Sequence, residues 1–206
     1  MTEPRLRASR FRRLAIFLAT FYASFVVPTP ARAQETAADF DPARTQIHFT
    51  LGSTLHTVHG TFKLKSGHIH FDPSTGKAGG SLVVDATSGD TDNSGRDKKM
   101  HQEIIQSPKF NEIVFVASGV KGSPAPQGAS RLEISGVLQL CGKDHDMTLV
   151  ADVISTGDHF QAKVHFSVPY VKWGLKNPST FFLRAEDTVD IDVETSGALA
   201  SVSTSK

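Results

Sequence analysis

The chain has 206 residues, with 22 basic and 21 acidic side chains and a formal net charge of +1 when histidine is neutral. Without the N-terminal segment described next, 16 basic residues would remain against 20 acidic ones. A dispersed, mildly acidic surface argues against nucleic acid and against tight binding to anionic lipid surfaces. The only cysteine, Cys141, excludes an internal disulfide, so burial and hydrogen bonding must hold the fold together.

The first 33 residues have the pattern of a secretory signal peptide. Five arginines precede an uncharged stretch at residues 14–27, and Ala31 and Ala33 supply the small residues that a signal peptidase recognises. The stretch is shorter than the roughly 20 residues of a membrane-spanning helix, although an uncleaved anchor is the alternative. We therefore expect cleavage after Ala33 and export of the remaining chain. The remaining 173 residues suffice for one domain with a sizeable core.

Alternation of apolar and polar residues begins near residue 45, after a segment at 34–44 that is predicted to be a flexible leader. Side chains of a strand point to opposite faces at every second residue, so runs such as Ile47 and Phe49 indicate half-buried strands. The predicted strands lie at residues 45–51, 57–65, 67–72, 81–86, 112–120, 131–141, 147–155, 159–168 and 181–195. Residues 197–206, rich in Ser and Ala, are predicted to be a flexible tail, which bounds the domain at 45–196.

Two local predictions complete the fold. Ser66 and Gly67 are predicted to form a two-residue turn that joins the second and third strands as a hairpin. Residues 98–106 lack alternation and indicate one short helix that ends before Pro108. Eight or nine strands, one helix and no internal repeat predict an all-β fold, a single antiparallel barrel.

The sequence contains none of the common signatures of catalysis. No nucleophile elbow, HExxH helix, paired cysteine motif or phosphate-binding loop occurs, so neither an enzyme activity nor a cofactor is predicted. Arg96 and Asp97 could form a catalytic pair, but an aspartate at the start of a helix more simply stabilises the helix dipole.

Histidines on the predicted strands suggest metal binding as an alternative function. His68 and His70 share one face of a predicted strand, and the predicted hairpin places His59 on the neighbouring strand. Imidazoles two residues apart on a strand project the same way and could bind a transition metal. Lysines beside them would repel a cation, so solvated surface histidines are the simpler interpretation.

Aromatic residues recur at inward positions of the strands. By default these phenylalanines form a core, and only a hollow interior would make them a ligand lining. Gly60 and Gly136 occupy inward positions and are interpreted as leaving room for a channel. Tyr170 and Trp173, before the last strand, could either gate a cavity mouth or close the end of the barrel.

The order of several short motifs resembles that of the YceI-like family. These motifs are Ile47-x-Phe49, Val58-x-Gly60-x-Phe62, Gly67-x-Ile69-x-Phe71-Asp72, Arg96-Asp97, Ser107-Pro-Lys-Phe110, Ile113-Val-Phe115, Gly136-x-Leu138 and Trp173-Gly174. The resemblance implies a lipocalin-like barrel that binds isoprenoids or other long-chain amphiphiles in a central tunnel, in the bacterial periplasm.

The resulting hypothesis is an exported carrier that binds an isoprenoid or fatty-acyl amphiphile and has no integral membrane segment after processing. A metal-binding envelope protein and an interaction module with a closed core are the alternatives, and a homodimer is left open. The predicted ligand-binding side chains are Phe49, Val58, Phe62, Phe71, Met100, Ile104, Phe115, Leu138, Val164, Phe166, Tyr170 and Trp173.

Overall fold

Nine strands, a 3-10 turn and one short helix make up residues 34–203, the part of the chain that the computed structural model describes. The predicted signal peptide lies outside the described residues. The strands are β1 (Gln34–Phe40), β2 (Gln46–Leu51), β3 (Val58–Phe71), β4 (Ala78–Asp90), β5 (Glu112–Lys121), β6 (Gln127–Leu140), β7 (Lys143–Thr156), β8 (His159–Val168) and β9 (Val189–Ser203). The helix α1 (Ser94–Lys99) continues into a π-helical turn, Met100–Ile104.

The strands form a closed antiparallel barrel with eight wall positions. Each strand from β2 to β9 pairs with the next along the chain, and β2 also pairs with β9, which closes the wall. The first wall position is split, because β1 pairs with the C-terminal parts of β3 and β9 and β2 pairs with their N-terminal parts. The all-β barrel with one short helix that the sequence predicted is confirmed.

Successive strands run in opposite directions, so alternate connections lie at the same end of the barrel. We call one end the mouth, formed by the connections at residues 52–57, 91–111, 141–142 and 169–188. The other end, which we call the closed end, has the connections at residues 72–77, 122–126 and 157–158, none longer than six residues. The helix belongs to the mouth, between β4 and β5. No helix in the described part of the chain is long and apolar enough to cross a membrane.

Both ends of the domain extend further than the sequence analysis expected. The predicted leader contains β1, and the described part of the predicted tail, residues 197–203, is the end of β9. The two segments pair with each other from Gln34↔Ser203 to Phe40↔Gly197. Pairing satisfies backbone groups that would otherwise need water, which favours a strand even where the side chains are small. Runs of Ala and Ser carry little alternation in hydrophobicity, so the pattern missed these strands.

The predicted hairpin turn at Ser66 and Gly67 is wrong. Strand β3 continues through it, and its pairing with β4 is irregular between Leu64 and Ser66. Buried positions change there from even numbers, such as Leu64, to odd numbers, such as Ile69, because a β-bulge adds one residue to the strand. A Cβ at Gly67 would lie 2.8 Å from the Phe40 Cβ, so this glycine allows a close approach of two strands.

The helix begins four residues earlier than predicted. The Asn93 side chain accepts a hydrogen bond from the Arg96 amide at 3.0 Å and caps the first turn. The π-helical turn then carries Met100 and Ile104, which the sequence analysis placed on the helix. Asparagine at position 93 was therefore the available start signal, ahead of any apolar residue.

Candidate functional site

The interior of the barrel is hollow. A cavity of about 500 Å³ runs between the walls, within the roughly 300–1,000 Å³ range of small-molecule sites, and its lining is almost entirely apolar. Inward-facing side chains such as Val164, Phe166 and Ile191 are only partly buried, because they face the cavity. The barrel wall therefore encloses space that its own side chains do not fill, which contradicts the alternative of a closed core.

The closed end of the barrel is the better packed part. Its cluster of buried residues joins strands from every side and consists of Ala38, Phe71, Val120, Leu132, Ala151, Val153, Phe160 and Ala162. Small alanines face the large rings, and the Phe40 and Phe160 rings meet edge to face at 5.2 Å. Because this end is the more tightly packed one, we expect a bound molecule to enter from the mouth.

Eleven of the twelve predicted ligand-binding residues border this cavity. They are Phe49, Val58, Phe62, Phe71, Met100, Ile104, Phe115, Leu138, Val164, Phe166 and Tyr170. Eight of them lie on strands, where alternation fixes the side that faces inward. Met100 and Ile104 reach the cavity from the π-helical turn, and Tyr170 from the β8–β9 connection. The lining also contains residues that the sequence analysis did not select, such as Leu149, Ile191 and Val193, although the same alternation marks them.

The interpretation of the two inward glycines is wrong. A Cβ at Gly60 would lie 2.3 Å from the Phe49 ring, and a Cβ at Gly136 would lie 2.6 Å from the Phe115 ring. The aromatic rings cover the glycines, as phenylalanines often do on neighbouring strands. The channel therefore does not depend on missing side chains at these positions, and the cavity is bordered mainly by branched aliphatic residues elsewhere.

Trp173, the twelfth predicted residue, does not border the cavity. Its indole stacks on the His145 ring, with centroids 4.0 Å apart and planes 6° from parallel. Burial, followed by the nearby charge of Lys143, lowers the pKa of His145 and favours the neutral ring. Trp173 therefore packs on β7 at the mouth without lining the cavity, whereas Tyr170 borders it.

The helix at the mouth is fixed to the end of β4 by a buried threonine. The Asp97 carboxylate accepts hydrogen bonds from the Thr91 amide at 3.0 Å and from the Thr91 hydroxyl at 2.6 Å. The Arg96 guanidinium donates to the Thr91 hydroxyl and to the Thr91 carbonyl. Arg96 and Asp97 therefore position the helix, and this accounts for the pair without a catalytic role.

Cationic groups border the apolar cavity at the mouth. Arg96 and Lys99 lie in the lining, together with His56 from the β2–β3 connection. The Lys99 ammonium donates to the Pro178 carbonyl at 2.8 Å, which joins the helix to the β8–β9 connection. This feature was not predicted, because Arg96 precedes the helix predicted at residues 98–106 and the ligand-binding residues were chosen among apolar side chains. The site thus combines an apolar interior with the positively charged side chains of Arg96 and Lys99 at the mouth.

Tyr170 ties the wall of the cavity to the β8–β9 connection. It is 5 % exposed, and its hydroxyl donates to the Glu186 carbonyl at 2.6 Å. Burial, assisted by the charge of Asp187, raises the pKa of Tyr170 to about 12. The phenol therefore stays protonated and bonded over the physiological pH range.

We expect the ionisation of Tyr170 to lower the stability of the folded protein at alkaline pH. Because the folded state holds this proton more tightly than the unfolded state, whose phenol has a pKa near 10, its contribution to stability is complete below pH of about 10 and is lost toward pH 12. In residues 34–206 Tyr170 is the only tyrosine. Absorbance at about 295 nm should report one phenol that ionises near pH 12 when native and near pH 10 in denaturant.

A Tyr170→Phe variant supplies the control for that titration. It removes the absorbance change and one hydrogen bond to a buried carbonyl, which should lower the free energy of unfolding by about 1 kcal/mol. A native titration midpoint near pH 10 would contradict the structural role assigned to this phenol.

The histidines do not assemble a metal site. His59 and His68 lie on the same strand, nine residues apart, which is roughly 30 Å of extended chain. His68 bonds to Asp39 at 2.6 Å, and His59 bonds to Thr50 at 3.2 Å. Among residues 34–203 no group of three or more His, Cys, Asp or Glu side chains could hold a metal ion. His59 therefore does not join His68 and His70, and the three-histidine site of the metal alternative is not formed by the described residues.

Comparison with protein families gives one match of large extent. A model described as a YceI-like domain matches residues 39–196, which includes every strand from β2 to β8 and most of β9. No curated protein matches the chain in sequence. The family match covers the whole mouth and the cavity walls except most of β1 and the end of β9.

Solved structures from three bacteria share the barrel. Burkholderia cenocepacia BcnA is similar with a TM-score of 0.62 and 15% identity, covering 77% of this chain and 99% of its own. A polyisoprenoid binding domain from Saccharophagus degradans, implicated in plant cell wall breakdown, gives 0.59 and 12%, covering 82% and 100%. The Campylobacter jejuni YceI protein gives 0.55 and 17%, covering 73% and 88%. At these identities the likeness concerns the fold.

Proposed function

Because this chain belongs to the YceI-like domain family, we propose that it binds a long-chain isoprenoid or fatty-acyl amphiphile inside its barrel and carries it through the bacterial periplasm. The observation that carries the proposal is the apolar cavity, closed at one end and bordered by polar and charged groups at the other. The Saccharophagus degradans relative, named for polyisoprenoid binding, supports the same class of ligand. The predicted signal peptide at residues 1–33 supports export.

The energy of the proposed binding comes from the tail. Burial of a methylene group contributes about 0.8 kcal/mol, so a ten-carbon tail would gain roughly 8 kcal/mol before the cost of association. A dissociation constant of 1 μM corresponds to about 8 kcal/mol, so a longer tail can reach micromolar affinity without any specific polar contact. The cavity therefore suits slender, chain-like ligands better than compact polar metabolites.

The two ends of the cavity give the ligand an orientation. The closed end offers only apolar side chains, whereas Arg96, Lys99 and His56 border the mouth. We place the tail toward the closed end and a polar headgroup beside the Arg96 and Lys99 side chains. In this arrangement the protein shields the tail from water and leaves the headgroup near the surface, which is the task of a carrier rather than of an enzyme.

Native mass spectrometry of residues 34–206 tests the proposal. Protein purified gently from the periplasm should carry an added mass that organic extraction removes, and the extract should contain an isoprenoid or fatty-acyl compound. The extracted protein should then take up a fluorescent prenyl or acyl probe with micromolar or tighter affinity. Protein that is always empty and shows no affinity for either probe would overturn the proposed function.

A further inference from the structure

Two adjacent phenylalanines project into solvent at the mouth. Phe181 is 92% exposed and Phe182 is 82% exposed, the highest values among the large apolar side chains of the described residues. Their rings meet edge to face with centroids 5.0 Å apart, so they form one apolar surface. Scattered single apolar residues are common on protein surfaces, but a paired aromatic tip beside a cavity indicates a contact with something else.

The phenylalanine pair is held rigidly by its flanking residues. Thr180 donates its amide to the Leu183 carbonyl at 2.8 Å, which makes a tight turn with the two phenylalanines at its tip. The stem of this turn is fixed by the Ala185 amide, which donates to the Ser179 hydroxyl at 2.9 Å. The tip is therefore a presented surface, because its backbone is bonded on both sides.

The same turn forms part of the cavity rim. Thr180 and Leu183, on either side of the phenylalanine pair, border the cavity. The neighbouring β2–β3 connection joins the turn where the Thr54 amide donates to the Arg184 carbonyl at 2.9 Å, and it adds Leu55, which is 67% exposed. An exposed apolar rim is thus continuous with the apolar interior.

We infer that the mouth docks on a lipid bilayer by inserting Phe181 and Phe182, so that the amphiphile passes between the membrane and the cavity without crossing water. The inference rests on the proposed function, because a long-chain amphiphile resides in membranes and its tail is poorly soluble in water. Aromatic side chains favour the boundary between headgroups and acyl chains, and a short apolar tip suits shallow, reversible insertion.

Charged side chains of both signs lie around the apolar tip. Exposed Arg184 is followed by exposed Glu186, and Lys176 pairs with the Glu103 carboxylate. The rim therefore presents both signs of charge, and the apolar tip must carry the attraction. Binding carried by apolar insertion changes little with salt, in contrast to binding by a basic patch.

Co-sedimentation with vesicles of phosphatidylcholine and phosphatidylethanolamine tests the inference. Residues 34–206 should bind, with little change between about 0.05 and 0.5 M salt. The double variant Phe181→Ser, Phe182→Ser should reduce the bound fraction at least tenfold. The matched control is Ile154→Ser, which removes another exposed apolar residue (53% exposed) on β7, near the closed end, and should bind like the unaltered protein.

Two probe measurements separate this inference from the proposed function. The double variant should extract a fluorescent acyl probe from vesicles at least tenfold more slowly, yet bind a short, water-soluble acyl probe with unchanged affinity. If no form binds the soluble probe, the proposed function fails, whatever the vesicles show. If the soluble probe binds but the vesicles do not, or the double variant binds vesicles normally, the docking inference is overturned. Self-association that the double variant abolishes, without vesicle binding, would assign the phenylalanine pair to a second copy of the chain.

Discussion

Val164→Trp is expected to lower the affinity for a long-chain prenyl or acyl probe more than about a hundredfold. Val164 lies on β8, points into the barrel and remains half-exposed because it faces the cavity. An indole at this position would occupy space that several methylene groups of the tail would otherwise fill. Loss of about four buried methylene groups corresponds to roughly 3 kcal/mol of binding free energy. Fluorescence titration with the probe measures the loss.

Gln161→Trp is the matched control for the cavity substitution. Gln161 is on the same strand, but its side chain is exposed on the outer face of the barrel. This variant should bind the probe as tightly as the unaltered protein. Thermal unfolding of both variants should show that Val164→Trp remains folded, since it fills existing space instead of displacing packed atoms. Unchanged affinity in folded Val164→Trp would mean that the ligand binds elsewhere.

Gly136→Val is expected to lower the free energy of unfolding by more than about 4 kcal/mol, which is about 10 °C in the unfolding midpoint for a domain of this size. Gly136 is buried on β6 and faces its neighbour β5. A Cβ there would lie 2.3 Å from the Val116 carbonyl oxygen and 2.6 Å from the Phe115 ring. The ring could rotate, but the carbonyl belongs to the strand itself, so the wall of the barrel would have to move.

Gln139→Val controls for the effect of valine in the same strand. Gln139 is exposed on β6, where a β-branched residue is well tolerated, so its unfolding midpoint should change little. Circular dichroism during heating measures both variants. A Gly136→Val protein as stable as the control would contradict the close contact between Phe115 and Gly136, and with it the view that aromatic rings cover the inward glycines.

The candidate site was well predicted where it depends on alternation. Phe49, Phe62, Phe115 and Phe166 all border the cavity, because a strand with one polar face leaves its other face to the interior. Trp173 could not be placed in this way. It lies in a connection, where no period relates residue number to direction, and only its stacking on His145 decided its position.

The strand pairing could not be predicted to the same extent. A bulge near Ser66 and a turn at Ser66 and Gly67 both appear in sequence as a change of phase with a glycine, and only the pairing of β3 with β4 distinguishes them. That pairing also places His59 and His68 on one strand, far apart, so that the predicted three-histidine cluster is not formed. Strand β1 was not predicted because its small residues show little alternation, and only its pairing with β3 and β9 marks it as a strand.

The sequence by itself determined the fold class, the apolar inner face of the wall and the family, because these depend on local alternation and on the order of short motifs. Only the tertiary structure decided that the wall encloses empty space, that cations border its mouth and that Phe181 and Phe182 stand at its rim. A cavity is the difference between the volume that a closed sheet encloses and the volume that its side chains fill. That difference depends on how many strands close the barrel and on which residues meet across it, and both are fixed by contacts between residues distant in the chain.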